Sequence, residues 1–227
     1  MIRNLLILSA LVLISAPALA AGGGEPLPHQ HWHFSGPTGQ FDKAAMQRGL
    51  KVFREVCSAC HSLKRVRYGN LVDLGYTDDQ TKSIAAEYTL TDGPNDEGEM
   101  FERAARPSDY FVPPFPNKKA AIASNGGAYP PDLSLITKAR SHGPDYLHAL
   151  LTGYSEGHDV PEGKYWNKYF PGHVISMGPP LFDGLVAYED GAPETTEQYA
   201  HDVTNFLVWA ADPYLEERKR AGLKVIF

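Results

Sequence analysis

The 227-residue sequence is poor in sulfur, in positive charge and in long apolar runs, and each shortage excludes something. With 21 Lys and Arg against 27 Asp and Glu the formal charge is −6, the wrong sign for a nucleic-acid partner. The longest apolar run, residues 5–14, falls short of the about 20 residues that a membrane-spanning helix needs. There are only two cysteines, Cys57 and Cys60, and they stand three apart in Val-Cys-Ser-Ala-Cys-His, with His61 directly behind. Eighteen prolines and 21 glycines leave little room for long regular elements.

The N-terminus joins a short basic start at Arg3 to that apolar run and ends in Ala18-Leu19-Ala20, a small-x-small cleavage pattern. Residues 1–20 therefore read as a cleaved signal peptide, and the mature chain works outside the cytoplasm. Export favours disulfides, but a C-x-x-C dithiol of the thioredoxin kind opens a helix after a strand. Here Phe41, Ala45, Gly49, Phe53 and Val56 recur at helical spacing, so the motif closes a helix instead. Zinc would need a fourth ligand, and the His29, His31, His33 cluster lies in a Pro/Gly-rich stretch that reads as a surface tail. The remaining reading is attachment of a c-type haem. On a helix, Cys57, Cys60 and His61 would share one face, with two thiols for the porphyrin edge and one imidazole for the iron.

An iron so held needs a second axial ligand. Met46 lies on the helix before the motif, as core filler, and Met100 sits in an acidic stretch where a thioether faces solvent. Met177, in Ile-Ser-Met-Gly-Pro-Pro, has two prolines to stiffen its backbone and is expected as the distal ligand, ahead of His173. A Met/His pair raises the potential and closes the iron to small molecules, which suits an electron carrier better than a haem enzyme such as a peroxidase.

Four blocks, VCSACH, Tyr110–Ser134 (YFVPPFPNKKAAIASNGGAYPPDLS), Trp166–Gly184 (WNKYFPGHVISMGPPLFDG) and Asp202–Phe227, occur in that order and resemble the cytochrome c1 family over nearly all of the mature chain. The resemblance implies a mainly α, class I c-type cytochrome domain, with helices and long loops around one covalently bound haem c. It implies thioether cysteines at Cys57 and Cys60, iron ligands at His61 and Met177, and haem-pocket positions at Asn125, Pro130 and Pro131. Arg140 matches an arginine that pairs a haem propionate, and Tyr146 an aromatic beside the ring. It also implies assembly with cytochrome b and a Rieske iron-sulfur protein at the periplasmic face of a bacterial inner membrane, and delivery of electrons to a soluble c-type cytochrome. A disulfide that braces the loop before the distal methionine in some members has no cysteines here, and the C-terminal membrane anchor is expected to be absent or truncated, since the text stops at Val225-Ile226-Phe227. A free periplasmic monohaem cytochrome is the alternative reading.

The expected layout is an irregular lead-in over 21–40, a cytochrome domain over 41–213 and a juxtamembrane segment over 214–227. Helices are expected over 40–56 with Asp42 as cap, over 144–154 with Tyr146, Leu147, Leu150 and Leu151 inward, and over 196–211 behind a Thr195-x-x-Gln198 capping box. Nine carboxylates between Asp73 and Glu102 face one base, Lys82. A second acidic group is Asp183, Glu189, Asp190, Glu194, Glu197 and Asp202. On an electron carrier, both read as docking surface for a basic soluble cytochrome.

Overall fold

The computed structural model describes residues 25–226; the signal peptide expected over 1–20 lies outside the described residues. Among the described residues, six α-helices and two small antiparallel hairpins are joined by long loops: α1 Lys43–Glu55, α2 Asp78–Ala86, α3 Lys118–Ser124, α4 Gly143–Thr152, α5 Thr196–Ala211 and α6 Leu215–Ile226. The hairpins pair β1 Thr89–Asp92 with β2 Phe101–Ala104, and β3 Tyr165–Trp166 with β4 Val174–Ile175.

The crossing of α1 and α5 is the core of the molecule. A Cβ on Gly49 would lie 2.0 Å from the Asp202 carbonyl oxygen and 2.8 Å from the Phe206 Cβ, so only glycine lets the two backbones approach this closely. Around that contact Met46, Phe53, Tyr199, Val203 and Phe206 are fully buried, as the helical spacing predicts. Asp42 caps α1, accepting from the Ala45 amide at 3.1 Å, and so α1 starts at Lys43 rather than at residue 40. Thr195 caps α5, but the predicted capping box closes only halfway. The Gln198 backbone amide donates to the Thr195 hydroxyl at 3.3 Å, but its side-chain Nε2 reaches forward to Asp202 at 3.0 Å instead of back to the cap.

Arg48 on α1 grips α5 with a bidentate pair to the fully buried Asp202, at 2.7 and 3.0 Å, and holds Asp190 at 2.7 Å with its remaining nitrogen. Burial would raise the Asp202 pKa, but hydrogen bonds from His201, Arg48 and Gln198 hold it below the ordinary carboxylate range. Asp183 accepts from the Thr196 amide at 2.7 Å, and Glu194 from the Tyr188 amide at 2.8 Å. Four of the second acidic group, Asp183, Asp190, Glu194 and Asp202, are thus engaged within the fold, while Glu189 and Glu197 remain exposed.

The lead-in is irregular, as expected, but it is not a loose surface tail. Trp32 and Phe34 are buried; Trp32 stacks on His201 at 4.9 Å between ring centroids and donates to Asp145 at 2.6 Å. His29 also reaches Asp145, at 3.0 Å. Among the described residues no group of three or more His, Cys, Asp or Glu side chains could hold a metal ion. The segment expected to be juxtamembrane is the helix α6. Its Glu216 accepts from the Phe41 amide at 2.7 Å, and its Lys219 donates to the Phe34 and Gly39 carbonyls at 2.5 and 3.2 Å. Among the described residues, no helix is long and apolar enough to cross a membrane.

Candidate haem site

The attachment motif follows α1 directly. The helix ends at Glu55, and Cys57–Ala59 forms a single 3-10 turn. Cys57, Cys60 and His61 therefore do not lie on one continuous α-helix as the spacing argument assumed. The turn still brings them together, because the Cys60 and His61 amides both donate to the Cys57 carbonyl, at 3.1 and 2.9 Å. Neither cysteine is in a disulfide. Burial, with Cys60 beside it, pushes the Cys57 thiol up to about 12.

His61 is oriented by a block 70 residues away. Its Nδ1 donates to the Pro131 carbonyl at 2.8 Å, which leaves the Nε2 lone pair free to ligate a metal. Burial lowers the His61 pKa, favouring the neutral imidazole that a metal requires. Asp132 then laces the two segments into one. Its carboxylate accepts from the Ser62 hydroxyl at 2.8 Å, the Lys64 amide at 2.9 Å and the Ser134 amide at 3.0 Å, while the Leu133 amide donates to the Ser62 carbonyl at 2.9 Å. Those hydrogen bonds outweigh desolvation and hold the Asp132 pKa below its ordinary value. Asp132 was not singled out from the sequence, although its two-residue offset to Ser134 is the signature of an Asx turn.

Met177 sits on the opposite arm, after β4. It is half-buried and packs on the same apolar cluster as Cys57, a cluster that includes Phe53, Leu133, Leu147 and Leu181. Its carbonyl accepts from the Tyr154 hydroxyl at 3.0 Å. A Cβ on Gly178 would meet the Tyr165 ring at 3.0 Å, so the residue after Met177 is held against an aromatic face. Of the other two thioethers, Met46 is in the core and Met100 is 60% exposed, the placements the sequence implied. His173 has its Nδ1 turned to the Asn167 carbonyl at 3.3 Å and its ring stacked on Trp166 at 5.4 Å.

The remaining candidates lie around these two arms. Pro130 and Pro131 precede the Asp132 lacing. Asn125 spends its side-chain N–H on the Ala121 carbonyl at 2.7 Å, closing the C-terminus of α3. Arg140 is exposed and donates to the Ala139 carbonyl at 3.0 Å; its charge also reaches the Tyr146 phenol, offsetting part of the rise that burial gives that group. Tyr146 and Leu150 on α4 are half-buried rather than inward, whereas Leu147, His148, Ala149 and Leu151 are buried. Two residues that sequence reasoning missed, Tyr154 and Asn167, hold the distal arm.

A resident haem fits this donor set. Two unpaired thiols share a turn with an imidazole whose outer nitrogen is tied to a backbone carbonyl, and a thioether lies across the same apolar cluster. The comparisons agree. The model of the Cytochrome C1 family matches residues 32–227. The chain is 48% identical to a cytochrome b/c1 of Bradyrhizobium diazoefficiens over 95% of its own length, and spans 36% of that longer protein. It is 46% identical to cytochrome c1 of Rhodospirillum rubrum, covering 99% of this chain and 90% of the relative. It is 49% identical to a mitochondrial cytochrome c1 heme protein of Solanum tuberosum, covering 93% and 83%. The chain belongs to the cytochrome c1 family, electron-transfer proteins that carry a covalently bound haem c.

Proposed function

We propose that this chain takes single electrons from a Rieske iron-sulfur protein and passes them to a soluble basic c-type cytochrome, assembled with cytochrome b in a bc1 complex at the periplasmic face of a bacterial inner membrane. The relatives named cytochrome b/c1 and cytochrome c1 support the assembly. A haem c held between His61 and Met177 supplies a one-electron ferric/ferrous couple. Cys57 and Cys60 would form the thioether links, His61, its ring direction fixed by Pro131, would bind the iron through Nε2, and Met177 would supply the second ligand through its sulfur. Arg140, with its exposed guanidinium, supplies the cation that a partly buried propionate requires. The observation that carries the reading is the imidazole pinned by Pro131 in the turn after Cys57, with Cys57 and a backbone-anchored Met177 packed on one apolar cluster.

The docking surface is the 93–100 loop between β1 and β2. Asp96, Glu97 and Glu99 are exposed there and make no ion pair among the described residues. Their neighbours are already engaged: Glu87 pairs with Arg54, Asp92 with Arg103 and Asp79 with Lys82. A reduced holoprotein mixed with an oxidised basic cytochrome c should transfer electrons at a rate that falls steeply between about 50 and 200 mM salt. An acidic soluble cytochrome should react slowly and with the opposite salt trend. Equal rates with both, independent of salt, would overturn the assigned acceptor.

A further inference from the structure

The loop between α4 and Met177 contains a buried polar residue that neither the fold nor the ligand set explains. Asn167 is 0% exposed, in a stretch whose flanking Trp166, Lys168 and Tyr169 all reach the surface in part. Every polar atom of its side chain is used. Nδ2 donates to the Leu150 carbonyl at 2.8 Å, in the last turn of α4, and Oδ1 accepts from the Tyr169 and Phe170 amides at 3.0 and 3.1 Å. Its backbone is equally occupied. The amide donates to the His173 carbonyl at 2.8 Å, closing the β3–β4 hairpin, and the residue bridges Tyr154 on the strand leaving α4. Lys168 extends that seam with a bond to the Gly153 carbonyl at 2.8 Å.

The seam leads to the distal ligand. Tyr154, bridged to Asn167, sends its hydroxyl to the Met177 carbonyl at 3.0 Å. Tyr165, one residue beyond Trp166 in the hairpin, packs its ring against Gly178 and pairs with the buried Ile175. Met177 thus begins from a backbone fixed at Ile175, at its own carbonyl and at Gly178, and all three fixings pass through the unit built on Asn167. Outside, His158, Trp166 and His173 stack at 3.8 and 5.4 Å between centroids and cover the hairpin.

We infer that Asn167 and Tyr154 are positioning residues for the distal sulfur: they tie the hairpin that carries Met177 to the end of α4 and so fix where that thioether can reach. A buried amide with three good hydrogen bonds makes a rigid joint, because breaking any one of them strands a polar group away from water. Rigid support of this kind decides whether a weak axial ligand stays bound. The inference rests on Met177 being the distal ligand.

The test reads the ligand and not turnover. Wild type, Met177→Ala, Asn167→Ala and Tyr154→Phe holoproteins are compared by the sulfur-to-iron band in the far red of the ferric spectrum, by covalent haem content and by displacement of the distal ligand with imidazole. Asn167→Ala should keep covalent haem and lose the band. Tyr154→Phe, which deletes one hydroxyl and leaves the packing intact, should keep a reduced band and bind imidazole about fivefold more tightly, the change expected from one buried hydrogen bond. If Asn167→Ala fails to incorporate haem, the Tyr154→Phe result decides. A wild type without the band, or a Met177→Ala protein that retains it, would remove Met177 as ligand. With those two behaving as ligand and non-ligand, wild-type band intensity and imidazole affinity in Tyr154→Phe and in any folded Asn167→Ala would overturn the positioning role alone.

Discussion

The two sides of the haem site are built by opposite strategies. On the proposed proximal side both cysteines and the imidazole lie within five consecutive residues, and one carboxylate, Asp132, ties that turn to the 130–134 block. On the distal side a single sulfur depends on a hairpin, on the end of α4 and on contacts that span 23 residues of chain. The contrast teaches that covalent attachment can be encoded locally, since the bonds themselves supply the strength. A thioether ligand has no such bond to the protein's own making, and its position has to come from the surrounding fold.

The largest expected effect breaks the proximal side outright. A Cys57→Ser/Cys60→Ser double variant should retain no covalent haem, as measured by haem staining after denaturing electrophoresis; covalent haem in that variant would refute the attachment site. Next comes a change at the α1–α5 crossing, which underlies both sides. Arg48→Leu leaves the buried Asp202 carboxylate uncompensated and should cost about 3–5 kcal/mol in denaturant unfolding. It should weaken the proximal and distal arms alike, so a loss confined to one arm would show that the crossing does not support both.

Acid separates the sides more finely. Asp132 has a folded pKa held below its unfolded value, so its contribution to stability is fully present above about pH 4 and is lost as pH falls through the lower, folded value. Asp202 follows the same sign at the crossing. Asp132→Asn should cost about 1–3 kcal/mol at neutral pH and flatten the acid limb of the unfolding curve for the proximal arm. An unchanged acid limb would mean that the lacing carries no weight. The smallest effect on the fold, and one on rate only, belongs to Asp96→Asn/Glu97→Gln/Glu99→Gln. That variant should unfold as wild type does while its reaction with a basic cytochrome slows and loses salt dependence, read by stopped-flow mixing.

The same contrast governs what could be read from the sequence. The cysteine pair with His61 behind it and the Asp42 and Thr195 caps all rest on short-range spacing or helical periodicity, and they were legible. Met177 could be named because two prolines mark its backbone and because the blocks around it resemble a family. Asn167 could not be found, since Trp-Asn-Lys-Tyr-Phe reads as polar surface until tertiary pairing buries the amide. The lead-in misled for a related reason: its glycines, prolines and histidines masked Trp32 and Phe34, whose burial depends on α4, α5 and α6. Asp183, Asp190 and Asp202 looked like part of a charged face because sequence cannot show that Arg48 and the first amide of α5 engage them.

The central claim is that the iron is closed on both sides, by His61 and by Met177. Exposure of the ferrous holoprotein to carbon monoxide tests it most directly. The account predicts an unchanged Soret band in wild type and prompt carbon monoxide binding in Met177→Ala; prompt binding by the wild-type protein would contradict it.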